Sequence, residues 1–445
     1  MYDAIAVEQR NKPSATLVNT GFITDSRSAS RLQGIPALRT VSETVPCECS
    51  VAHVIEENTT KVMHEVQAAL TTPLTEQEKN PQERHADGGR IVFSGDLAEI
   101  NRFFYRRGWS DGLPLVPPTE AAVKEMLQGT DLAPEHVVGK LEPRFGKATV
   151  EKIAVNAVMA GALPLHLPVI IAAVRVMADK ASGFGTYGCS TGSWSPHTVV
   201  NGPIRDQINL NYGSGALSPG NIANAAIGRA IGLIAKNIAG ARKGVEDMGV
   251  QGNPAKYSQV MGEDEAGSPW EPEHVERGFQ AADSTVTMFY PNCYNQLWPY
   301  GTDAEGILAG IIYNLVPARS NALTLIVLTP PQAATLAEAG WDKEKIRSFV
   351  ALNASTPAYR HPLYYGTNIG ADNKPLKPLH AMDHVLLMRE RAKLRIIVAG
   401  GPGNFIGMHT SSGLLGDFVT QRIELPAGWQ ELVGKFKNLV PKYEI

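Results

Sequence analysis

Two runs in the C-terminal third limit the fold more than any other feature of the sequence. LTLIVLTP (323–330) and LRIIVAGGPG (394–403) are short, nearly continuously apolar and rich in β-branched side chains, and each stops at Pro or Gly. A strand with one wet face alternates polar and apolar residues, whereas an unbroken run suits a strand covered on both faces, as in a parallel sheet. Parallel strands need long crossovers, usually helical. Helical patterns are present on both sides. Asp96 with Glu99 precedes a face of Leu97, Ile100, Phe103 and Phe104, and Thr119 opens a helix through Val123, Met126 and Leu127. Thr302 with Glu305 reads as a capping box before EGILAGIIYNL, and Asp342 starts KEKIRSFV. Residues 92–445 are therefore expected to form a large α/β domain, with mixed α+β as the alternative. No internal repeat is evident in the sequence.

The N-terminal segment reads differently. ATLVNTGF and PALRTVSETV suit short strands, and HVIEENTTKVMHEVQAAL, with Val54, Val62, Val66 and Leu70, suits an amphipathic helix. Residues 1–72 are thus expected to be a small α/β subdomain. Two strands are too few for a core of their own, so the unit must pack on the rest of the chain or on another chain. Residues 73–91 are polar, with two prolines and a glycine pair, and read as a linker.

Composition removes several function classes. A net charge of -3 and a pI near 6.4 argue against nucleic acid or an anionic membrane as partner. The longest apolar tract, IAVNAVMAGALPLHLPVIIAAVRVMA, is broken by Asn156, Pro164, His166, Pro168 and Arg175, which suits two buried helices better than a membrane span. Cysteine numbers 4 in 445 residues, too few for a disulfide framework. With no apolar core of a signal peptide in MYDAIAVEQRNKPS, the expected location is cytoplasmic.

Several stretches could carry chemistry. VPCECSVAH offers Cys47, Cys49 and His53: two thiolates and an imidazole for a transition metal such as Zn, Ni or Cu, or Cys47 as a nucleophilic or redox thiolate with His53 as proton acceptor. Two small buried residues at a strand end are the structural alternative. In GFGTYGCSTGSWSPHTVVNGPI, Cys189 is a second candidate catalytic thiol. Ser190, Thr191, Ser193, Trp194 and Asn201 follow it as candidate ligand contacts, since small residues let backbone amides approach an anion. Ser214 and Gly215 lead to a helix capped by Asn221, whose free amides suit a phosphate or carboxylate. The spacing is neither a Walker loop nor a dinucleotide fingerprint. GEDEAGSPWEPEHVERGF adds Glu263 and His274 as acid–base candidates and Trp270 as a pocket wall, against the alternative of a solvated acidic loop.

Together, GWSDGLPLVPPTEAAVKEML, STGSWSPHTVVNGPI, GSGALSPGNIANAAIGRAIGL, GNPAKYSQVMGEDEAGSPWEPEHVERGF, TPPQAATLAEAGWDKEKIRSFV and IIVAGGPG resemble a bacterial family carrying a UGSC motif with selenocysteine or cysteine, usually described as thiol-disulfide oxidoreductases. The resemblance implies thiol chemistry without fixing a substrate. Gly34-Ile35-Pro36 matches the family's next-strand start, but the preceding turn, NTGFITDSRS, holds no cysteine, so Cys47 becomes the nearest resident thiol. The expectation is an enzyme acting on a small anionic organic molecule through a cysteine thiolate. The alternatives are a metal-dependent hydratase or lyase and a non-catalytic subunit of a split enzyme. A homo-oligomer, or a small partner subunit completing the N-terminal unit, is the expected assembly.

Overall fold

The computed structural model describes residues 2–45, 50–80, 89–315, 322–360, 382–411 and 416–437. Helix α1 (Tyr2–Glu8) leads to strand β1 (Thr16–Asn19), helix α2 (Ile23–Leu32), strand β2 (Thr40–Glu43) and helix α3 (Ala52–Thr71). β1 and β2 pair in parallel, Leu17 opposite Val41, with α2 as the crossover. α3 packs on β2, yet none of its residues is buried. Polar contacts hold it instead. Asn58 Nδ2 and Thr59 Oγ1 donate to Glu43 Oε1 at 3.2 and 3.3 Å. At the far end Arg39 Nη1 donates to the carbonyls of Ala69 (2.9 Å) and Thr72 (2.6 Å), which the helix leaves without partners, while its Nε meets Glu78 at 2.9 Å. The buried apolar residues described in this unit, Ile5, Val18, Ala29, Leu38 and Val41, are too few for a core that stands alone.

After α4 (Glu76–Lys79), helix α5 (Leu97–Arg106) starts at the Asp96–Glu99 capping box and α6 (Glu120–Met126) at Thr119. A hairpin of β3 (Val137–Leu141) and β4 (Gly146–Thr149) precedes α7 (Val150–Met159) and α8 (Leu167–Ala178). The long apolar tract is these two helices, broken at Pro164–His166, and α8 is buried from Leu167 to Val174. Then follow α9 (Phe184–Tyr187), β5 (His197–Asn201), α10 (Ile204–Gln207), α11 (Ile222–Asn237), β6 (Val260–Gly262), α12 (Glu273–Glu276), β7 (Thr285–Phe289) and β8 (Cys293–Leu297). The last section runs through α13 (Ala304–Asn314), β9 (Thr324–Leu328), α14 (Pro330–Glu338), α15 (Lys343–Asn353), β10 (Ser355–Pro357), β11 (His384–Leu386), β12 (Leu394–Val398), β13 (Ile406–Thr410), β14 (Val419–Arg422) and α16 (Trp429–Phe436). α13 is capped one residue later than the Thr302–Glu305 spacing implied: Asp303 Oδ1 accepts from Gly306 N at 2.7 Å.

The two apolar runs are β9 and β12, paired in parallel. They belong to a 4-stranded sheet of order β12-β9-β13-β8, and a second 4-stranded sheet has the order β6-β5-β7-β14. The two are alike strand for strand. In each, the two strands joined by a helical crossover are parallel, and the next strand returns antiparallel beside the first. The edge strands are exchanged. β8 follows β7 in sequence but pairs with β13, whereas β14 follows β13 but pairs with β7. This repeat is one of topology. Residue patterns do not reveal it, because the crossovers differ in length and content.

Alternation then sets the layers. Val200, Val260, Val286 and Met288 face α7, α8 and α11 in the main core. Ile326, Leu328, Ile396 and Met408 face α13, α14 and α15. The opposite faces, with Val199, Met261 and Phe289 against Leu325, Val327 and Ile397, pack on each other. The molecule is a mixed α/β protein in which two sheets lie between two helical layers, with the N-terminal unit docked through Ser28 Oγ, which donates to Glu246 Oε1 at 2.6 Å.

Candidate functional site

Chain ends of parallel strands diverge, and the space between their loops is where ligands find room in open α/β sheets. β9 ends at Leu328, and Thr329 after it is the N-cap of α14, its amide donating to Gln332 Oε1 at 3.1 Å. β12 ends at Val398, and the chain continues as Ala399-Gly400-Gly401-Pro402-Gly403. Gly400 has φ +100°, a left-handed backbone that a side chain disfavours. Its amide donates to Tyr212 O at 2.8 Å, tying this loop to the one that precedes α11. That second loop turns at Gly215 (φ +68°), with Ala216 N donating to Gly213 O and Ser218 N to Gly215 O.

Between the two glycine loops lies a cleft of about 410 Å³. Met261, Val327, Gly407 and His409 form its floor, and Tyr294, Gln296 and Phe405 its rim. A shallower groove continues past Ser214 and Gly401 to Asp264 and the Pro330–Pro331 start of α14. The amides of Gly215 and Gly401 donate to no acceptor among the described residues, whereas that of Ser214 faces the Gly400 carbonyl in the parallel bridge between Gly213 and Gly400. Residues from both halves of the repeat build the cleft, since the exchanged strand β8 brings Tyr294 and Gln296 to it. Asn224, buried on α11, fixes the first wall. Its Nδ2 donates to the carbonyls of Asn211 (2.9 Å), Ala216 (3.2 Å) and Val260 (3.0 Å), and its Oδ1 accepts from Asn211 N at 2.8 Å.

His409 lies between the sheets. Its ring stacks on Tyr294 (4.4 Å, 13°) and approaches that of His197 at 4.3 Å. Burial, then His197, holds its pKa well below the ordinary imidazole range, so the ring is neutral. Burial likewise pushes His197 down to about 3.

The expected site residues fall into three places. Ser214 and Gly215 line the cleft, while Asn221 caps α11 and donates from Nδ2 to Asn209 O at 2.9 Å. Asn201, Glu263 and His274 belong to a buried charge cluster at the ends of β5 and β6. Asn201 Nδ2 donates to Glu263 Oε2 (2.6 Å) and Glu265 Oε1 (3.1 Å), and Glu273 N donates to Glu263 Oε2 at 2.8 Å. Arg205 pairs with Glu265 at 3.0 Å, and Lys343 lies 3.6 Å from Glu263 and 3.2 Å from Glu276. Burial raises the Glu263 pKa, opposed chiefly by Lys343. His274 is fully buried, 3.9 Å from Glu265, and burial lowers its pKa. Trp270 Nε1 donates to Trp341 O at 3.0 Å, which packs the indole against the core beneath α15 rather than over the cleft.

The third place is the seam with the N-terminal unit. Cys189 Sγ donates to Gly185 O at 3.0 Å, and burial followed by Asp25 pushes its pKa up to about 11, so the thiol keeps its proton. The rest of its loop is engaged in hydrogen bonds. Ser190 Oγ accepts from Gly192 N, the Thr191 carbonyl from Val250 N, and Ser193 Oγ from Gly252 N; Trp194 Nε1 donates to Ser411 Oγ at 3.1 Å. The 213–218 loop therefore has 400–403, not 185–193, as its opposite wall. Cys47 and Cys49 lie outside the described residues. His53 is exposed on the first turn of α3.

Sequence reasoning passed over His409, Asn224, Tyr294 and the 400–403 wall. Only the last left a sequence signal, a glycine-rich AGGPG following a buried strand. Among the described residues no group of three or more His, Cys, Asp or Glu could hold a metal ion, and no helix is long and apolar enough to cross a membrane. No family model, no curated protein and no solved structure matches this chain.

Proposed function

We propose that this protein is an enzyme that binds a small anionic organic molecule in the cleft between residues 213–218 and 400–403. The observation that carries this reading is the pair of unpaired amides at Gly215 and Gly401 beside a cavity of about 410 Å³, since amides in a concave site attract an anion. Cys47 is the thiolate of the proposed reaction. The described thiols, Cys189 and Cys293, both have pKa values raised by burial, which opposes thiolate formation. The test has two arms. Amide-resolved NMR titration with acetate, pyruvate and inorganic phosphate should move the signals of Gly215 and Gly401 ahead of others; no response to any of them discards the site. Cys47→Ser should leave that binding intact and abolish turnover of any substrate found, and full activity removes Cys47 from the chemistry.

A second reading concerns assembly. The two-stranded β1–β2 sheet and an α3 without a buried residue favour a further chain, a second copy or a small subunit, against the N-terminal unit. Light scattering of the purified protein tests it: a monomer at all concentrations, with no co-purifying polypeptide, removes it.

A further inference from the structure

The cleft presents hydrogen-bond donors of two kinds. The two facing walls offer the amides of Gly215 and Gly401. The floor offers His409, and its tautomer follows from its neighbours. Ser195 Oγ donates to Gln259 Oε1 at 3.0 Å, which turns the Gln259 amide nitrogen toward His409 Nδ1, 3.2 Å away. With the Gln259 amide in this orientation Nδ1 accepts, and the proton of the neutral ring resides on Nε2. Nε2 has no hydrogen-bond partner among the described residues, and His409 lines the cleft. The ring is held by the Tyr294 stack and by His197 behind it. The groups that face it from the adjoining elements are His197 on β5, Gln259 before β6 and Tyr294 on β8, none of them charged when both imidazoles are neutral.

A cradle of amides takes a carboxylate without help from a ring donor. A fixed neutral N–H beside it suits a second oxygen, one that carries less charge and accepts along a single direction. We propose that the cleft takes a small 2-oxo acid, its carboxylate on the amides of Gly215 and Gly401 and its keto oxygen on His409 Nε2–H, with Gln259 as the positioning residue that sets this tautomer. The proposal rests on the cleft being the substrate site. A donor at the keto oxygen polarises the adjacent carbonyl carbon, which is where a thiolate would add.

Protein labelled with ¹⁵N in its histidines and backbone amides separates the two claims, with pyruvate and acetate as probes. Pyruvate should move both the two amides and His409 Nε2, and acetate the amides alone. Amides that respond to pyruvate without His409 leave the anion site standing and overturn the 2-oxo acid. Acetate that moves His409 as far as pyruvate does also overturns it. No response anywhere removes both readings. Free protein should show Nε2 protonated and Nδ1 bare from pH 5 to 8; the opposite tautomer, or a titration in that range, sinks the role given to Gln259. His409→Phe should weaken pyruvate about tenfold, the worth of one well-placed hydrogen bond, and leave acetate unchanged. His409→Gln, which keeps an N–H donor, should recover most of the loss. Gln259→Leu should mix the tautomers while the backbone amide spectrum stays folded.

Discussion

At the carboxyl ends of β5 and β6 the first sheet meets Asn201, Glu263, Glu265, Arg205 and Lys343. At the matching ends of β9 and β12 the second sheet meets Thr329, Gly400 and Gly401. The strand order is the same, and so is the divergence of loops that opens a crevice there. One crevice is filled by side chains that neutralise each other, with Glu263 and Lys343 only 0% and 3% exposed on their side chains. The other is left open because glycines occupy its walls. Topology supplies the opportunity for a site twice, and side-chain volume decides which one is used.

The largest effect should come from breaking the filled end. Lys343→Met removes the cation that faces Glu263 and leaves that buried carboxylate uncompensated, while Glu276 keeps Arg347, a change worth about 3–5 kcal/mol. The loss should depend on pH with a definite sign. Glu263 already has a raised pKa, and without Lys343 it rises further. A carboxyl raised in the fold is tolerated when protonated and becomes a burden as pH climbs from its unfolded value, near 4.5, through its folded one. Denaturant unfolding of the variant should therefore show a smaller deficit at pH 5 than at pH 8. An equal deficit at both would mean that packing, not charge, fills this end.

Next in size is the support of the open end. Asn224→Ala strands the carbonyls of Ala216 and Val260 and frees the 211–218 loop, at about 2–3 kcal/mol. Ligand binding should fall by more than that stability loss alone would cause, because the wall that carries Ser214 and Gly215 loses its anchor. Titration with pyruvate or acetate at a temperature where the variant is fully folded measures it. Unchanged binding would mean that the loop holds its shape without α11.

The contrast also explains what could be read in advance. β9 and β12 were legible because a strand covered on both faces must be apolar throughout, and α5, α6 and α15 because Asp96, Thr119 and Asp342 mark their starts. The repeat was not legible. Strand exchange leaves each half's own sequence incomplete, and Tyr294 reaches the cleft only because β8 pairs with β13 rather than β7. Glu263 and His274 looked like acid–base groups because a sequence shows charge but not burial. The cation facing Glu263, Lys343, lies far away in the chain, and His274 faces Glu265, which itself pairs with the distant Arg205. Asn224 stood inside a helix of small residues, where nothing local distinguishes an anchor from a solvated amide. The 400–403 wall was visible as glycine, but the loop facing it was set by tertiary packing.

The smallest effect on stability belongs to the glycine walls themselves. A Cβ at Gly401 would lie 2.0 Å from Ser214 Oγ and 3.0 Å from Ser214 Cβ, so Gly401→Ala forces the serine side chain to turn or the two loops to part slightly. A hydroxyl can rotate cheaply at the edge of a cavity, and the loss should stay under about 1 kcal/mol. Binding should suffer more than folding, since the displaced serine moves into the space a ligand would take. Ser214→Gly in the same chain removes the clashing group, so the double variant should recover the stability lost by Gly401→Ala alone, a coupling that a double-mutant cycle reads directly. If Gly401→Ala instead destabilised the protein as severely as Lys343→Met, the two ends would be equally committed to holding the fold. The open end would then have no claim to be set aside for a ligand.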